Sequence, residues 1–92
     1  MSDDQLLRLL RTIGFKAYVE NIDLLELSSG TAQIAEKLSL RNKWTLSGSR
    51  TRVNAAKRIH QAEAKKRALT IIVNAQNISE ETAQKAAALL KA

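Results

Sequence analysis

The chain contains no proline, and its three glycines stand far apart at Gly14, Gly30 and Gly48. No residue type therefore forbids a helix wherever apolar side chains recur at the right interval. They recur with a period near 3.6 almost throughout, whereas no β-branched or aromatic run alternates with period two. That combination predicts an all-α fold. A length of 92 residues suits one small domain, read here as four to six helices with no room for a second core.

Local signals divide the chain. Ser2-Asp3-Asp4-Gln5 reads as a capping box, and Leu6, Leu7, Leu9, Leu10 and Ile13 follow it before Gly14 interrupts. A second helix over 15–27 places Phe15, Tyr18, Val19, Ile22 and Leu25 on one face, and Ser28-Ser29-Gly30 signals a turn. Residues 31–40 form a short helix with Ile34, Ala35 and Leu38 inward, and 39–48 are the least regular stretch, expected as a loop. The next helix has acceptable N-caps at Thr45, Ser47 and Ser49. Run unbroken to Asn77 it would be about 44 Å long, so a break is expected near Lys65-Lys66-Arg67 and the helix is placed over about 46–66. The β-branched Thr70-Ile71-Ile72-Val73 has no partner strand and is read as helix, and Ser79 caps a last one.

Charge is distributed unevenly. Residues 37–67 hold ten Lys or Arg and one acid, a net of +9, whereas the remainder holds five against eight, a net of −3. One basic middle between mildly acidic flanks points to an anionic partner more sharply than uniform basicity would. On a helical wheel Arg50, Asn54, Lys57, Arg58, Gln61 and Lys65 fall within about 80° of one line. Val53, Ala55, Ala56, Ile59 and Ala62 lie opposite, and Glu63 is expected towards that apolar side. Solvated helix faces usually alternate charge, because like charges four apart oppose the helix by a few tenths of a kcal/mol. An acid-free face leaves the anions to another molecule.

Within this region GTAQIAEKL followed by SRTRVNAAKRI resembles the paired helices of helix-turn-helix DNA-binding domains, over roughly residues 30–60. Ile34-Ala35 and Leu38 match the apolar positions of that family's first helix, and Val53 the buried position of its second. The family's turn is three to four residues, against about ten here from Leu38 to Ser49. The resemblance implies a DNA-binding module, a small regulatory protein whose recognition helix begins near residue 49. Residue chemistry agrees: Arg50, Lys57, Arg58 and Lys65 suit phosphates, and Asn54 and Gln61 suit base edges, with Arg41, Lys43 and Arg52 as secondary contacts. RNA, or an acidic protein docked on the same face by a helical adaptor, are the alternatives.

Other chemistry has little footing. There is no Cys, hence no thiolate nucleophile and no Cys-ligated zinc, and the single His60 stands without a cluster of carboxylates. Neither a metal nor a cofactor is expected, and the chain is read as a non-enzyme. Trp44, the only tryptophan, is expected to fix a loop against the core, and His60 either to contact phosphate or to sit partly buried. The acidic N-terminus and the absence of a long apolar run predict an intracellular, cytoplasmic protein without a membrane partner. A face that neutralises about four to six phosphates is small for a specific site, so a homo-oligomer or larger complex is expected. The apolar ALTIIV and AAALL stretches supply a candidate surface for it.

Overall fold

The computed structural model describes all residues, 1–92, and resolves them into seven helices without a strand. In chain order these are α1 (Asp3–Ile13), α2 (Phe15–Glu20), α3 (Ile22–Leu25), α4 (Thr31–Asn42), α5 (Leu46–Gln61), α6 (Lys65–Val73) and α7 (Glu80–Lys91). The capping box is present: Ser2 Oγ accepts from the Gln5 amide and Gln5 Oε1 accepts from the Ser2 amide. Gly14 joins α1 to α2 at φ 95°, a conformation open to glycine at little cost. Ser79 caps α7, and the β-branched 70–73 run is helical within α6.

The helix count exceeds the expected four to six because the expected 15–27 helix breaks at Asn21. Asn21 is buried, and its Nδ2 donates to the Ala17 carbonyl at 2.9 Å. Its Oδ1 accepts from Asn42 Nδ2 at 3.0 Å, which also donates to the Leu38 carbonyl. A buried amide left unpaired would cost about 1–3 kcal/mol, so this clasp holds the α2–α3 corner against the end of α4.

The central helix also ends earlier than expected, at Gln61. Glu63 adopts φ 55°, its amide bonds to the His60 carbonyl, and the Ala64 amide bonds to the Ile59 carbonyl at 3.0 Å. That pair of bonds is a Schellman stop, with Glu63 where glycine is usual. Ala62 and Glu63, both expected on the apolar side, are exposed in this turn, and Ala64 is buried in their place. At the other end, α4 continues to Asn42 and α5 starts at Leu46. The expected 39–48 loop therefore contracts to Lys43, Trp44 and Thr45, with Thr45 Oγ1 accepting from the Gly48 amide.

Nineteen buried apolar residues form one core, drawn from all seven helices and the turn at Ala64. α5 is central, flanked by α1 and α4, while α7 rests on α6 and α2. The radius of gyration is 12.3 Å, against about 12 Å for a close-packed chain of this length. Ala68, Leu69 and Ile72 are buried, with Ile71, Val73, Leu89 and Leu90 packed against the core. Much of the apolar C-terminal sequence is thus used within the monomer. No helix is long and apolar enough to cross a membrane.

Candidate nucleic-acid interface

Because α1 and α4 close over its flanks, α5 shows solvent only a stripe. Val53, Ala55, Ala56 and Ile59 are buried, whereas Arg50, Asn54, Arg58 and Gln61 are exposed together on the opposite side. Neither arginine's guanidinium takes part in an ion pair or hydrogen bond. Lys57 borders the stripe, half-buried, and its Nζ donates to the Ser29 carbonyl at 3.4 Å. Sequence reasoning missed Arg8: it is exposed on α1 and shares a recess with Gln5, Leu9 and Arg58. Its relation to Arg58 spans fifty residues, and no local pattern encodes it.

Several expected contacts lie elsewhere. Lys65 would lie on the stripe only if α5 ran on unbroken, but after the Schellman turn α6 starts there, and its ammonium pairs with Glu26. Arg41 binds both carboxylate oxygens of Asp23 at 2.9 Å, and those bonds hold the Asp23 carboxyl below its ordinary range. Arg52 turns inward. Its Nε donates to the Ile13 carbonyl and one terminal nitrogen to the Gly48 carbonyl, while the guanidinium lies 4.2 Å from the Trp44 ring centroid. Lys43 is exposed in the turn at φ 58°, beyond the end of α4.

Trp44 does fix its loop: it packs against the core beneath Arg52, and its carbonyl accepts from Ser39 Oγ at 2.6 Å. His60 is half-buried with Nε2 2.9 Å from the Tyr18 hydroxyl. Burial holds His60 below the ordinary histidine value, outweighing the opposite pull of Glu26. Burial with Glu26 pushes the Tyr18 phenol well above its ordinary value, so the hydroxyl keeps its proton within this hydrogen bond. This pair is structural. No cluster of His and carboxylates suited to a metal occurs.

α4 and α5 meet at both ends. Three residues join Asn42 to Leu46, and Lys57 near the far end of α5 reaches Ser29, two residues ahead of α4. The short turn and the Lys57 contact fold α4 and α5 back on each other as an αα-hairpin. The turn, three residues long, has the length that helix-turn-helix domains use rather than the roughly ten expected from the sequence. No family model matches the chain, and no curated protein or solved structure was found to match it. Chemically, the surface offers guanidinium, ammonium and amide groups in a shallow line suited to phosphate oxygens.

Proposed function

We propose that the protein binds duplex nucleic acid, DNA foremost, by laying the α5 stripe along the phosphate backbone. Arg50, Arg58 and Arg8 neutralise phosphates, Lys57 supports them from the edge, and Asn54 and Gln61 hydrogen-bond to backbone or base edges between them. One observation carries this reading. Five ion pairs engage Lys16, Arg41, Lys65, Arg67 and Lys85, and none engages a cation of α5. Cations outside α5 are only partly paired, but α5 contains no acid of its own and none of its cations meets one from another helix, so this stripe leaves its charge open. A shallow contact of this kind favours sequence-independent binding.

Fluorescence anisotropy with a labelled duplex, repeated over a salt series, tests the proposal. With about four phosphates neutralised, log K should fall against log salt with a slope near −3.6. Arg50→Glu with Arg58→Glu should abolish binding while shifting stability by no more than about 0.5 kcal/mol, since both side chains are exposed. Lys65→Ala, whose ammonium Glu26 already engages, should bind as the wild type does. Unchanged affinity in the double variant would remove the stripe from the interface.

A further inference from the structure

Leu40 is 84% exposed and Leu46 49%, the two most open large apolar side chains in the molecule. They flank the Lys43–Thr45 turn, Leu40 near the end of α4 and Leu46 at the first position of α5. Leu40 lies on the side of α4 opposite Ile34 and Leu38, which enter the core. The α5 stripe is likewise opposite the buried Ala56 and Ile59, so both surfaces turn away from the same core. Single exposed leucines are ordinary on soluble proteins. Two at one tip, beside Lys37, Lys43 and Arg50, are a different matter, because none of those three cations is ion-paired. Helix propensity does not demand Leu40 either, since Lys and Gln propagate a helix about as well.

We infer that the α4–α5 tip is an apolar wedge: Leu40, backed by Leu46, enters between base steps of the duplex held on the α5 stripe and bends it. This inference rests on the nucleic-acid reading above. Apolar side chains inserted at base steps unstack them and kink the duplex by about 20–90°. The distribution of apolar residues favours a duplex over a lipid surface. A helix lying in a membrane interface carries apolar residues along its length, whereas beyond Leu46 the outer line of α5 is Arg50, Asn54, Arg58 and Gln61. The unpaired cations continue from the tip along that line for about 12 Å, from Arg50 to Arg58, as a backbone track requires. The tip then supplies the element that the shallow stripe lacks, a side chain able to leave the protein surface and reach the base stack.

A duplex of about 30 base pairs with a donor and an acceptor at its ends reads bending and binding in one titration. Wild-type protein should bind and bring the ends closer. Leu40→Gln should keep the wild-type melting temperature and change affinity by less than about tenfold, but leave the duplex straight. Arg50→Glu with Arg58→Glu should lose both signals. Wild-type binding without bending, or bending retained in Leu40→Gln, would overturn the wedge and leave the phosphate reading standing. Failure of the wild type to bind duplex at low salt would overturn both. Leu40-dependent binding to phosphatidylserine vesicles, with no duplex bending, would assign the tip to a lipid surface instead.

Discussion

α5 and α7 are both long helices, of 16 and 12 residues, and they solve opposite problems. α7 is electrically self-contained: Glu80 and Glu81 lie at its N-terminus, Lys91 at its C-terminus, and Lys85 reaches Glu81 one turn away at 3.6 Å. It is also lightly buried, with only Thr82 and Ala86 fully enclosed. α5 has no acid in its first turn and no ion pair, yet it buries Ser49, Val53, Ala55, Ala56 and Ile59 between α1 and α4. Magnitudes explain why this is tolerable. Like-charge neighbours cost a few tenths of a kcal/mol each, whereas one buried Val or Ile contributes about 1.5–3 kcal/mol. A deeply held helix can therefore keep an unbalanced face, and a lightly held one has less margin for it.

The sharpest way to break this contrast is an equal insult to both helices. Ile59→Asp places a charge in the centre of the core and should cost at least about 3 kcal/mol, enough to abolish a cooperative melt. Leu90→Asp on α7, half-buried, should cost clearly less. Equal losses in thermal melts would show that α7 is held as deeply as α5.

A smaller effect separates the helices by pH, because the only histidine lies on α5. The folded state keeps His60 below its ordinary value of 6.5, so the unfolded chain binds the proton first as pH falls. Stability from this group is complete above about pH 6.5 and declines as pH drops through that value towards the folded one. Melting temperatures recorded between about pH 7.5 and 5 should show the decline, and His60→Gln should flatten it. An unchanged profile in the variant would place the pH dependence elsewhere.

The smallest expected change is a gain, at the stop of α5. Glu63 holds a left-handed backbone that costs a side-chain-bearing residue about 1 kcal/mol relative to glycine. Glu63→Gly should therefore raise stability by up to that amount, measured by denaturant titration at constant m-value. A loss would mean that the Glu63 side chain contributes more to the folded state than its backbone costs.

How much of this was legible follows from the range of each signal. The helical class, the Ser2 and Ser79 caps and the buried set Val53, Ala56 and Ile59 are written in spacings of a few residues, and the structure has them where periodicity places them. The break at Asn21 was not legible, because it is settled by an amide clasp to Asn42 across 21 positions. The stop at Gln61 was obscured by a glutamate in a glycine's role. The stripe was half-legible: Arg50, Asn54, Arg58 and Gln61 share the exposed side of α5. The charges of Arg41 and Lys65 are answered by Asp23 and Glu26, which lie far from them in sequence. Arg52, expected as a secondary contact, is drawn inward by the Ile13 carbonyl, 39 positions away in sequence.

The short turn between α4 and α5 also bears on the order of folding. Closing three residues loses little chain entropy, so the hairpin forms the cheapest large contact in the molecule. α1 can complete its side of α5 only by closing a much longer loop: the Arg52 bond to the Ile13 carbonyl spans 39 positions. Contacts near in sequence tend to form before distant ones. The hairpin is then the early nucleus and α1 the late lid over its open flank. Weakening Val53 should slow folding, while weakening Leu6 should chiefly hasten unfolding. The helix that carries the exposed cations would be formed, and its inner face chosen, before the N-terminal segment docks.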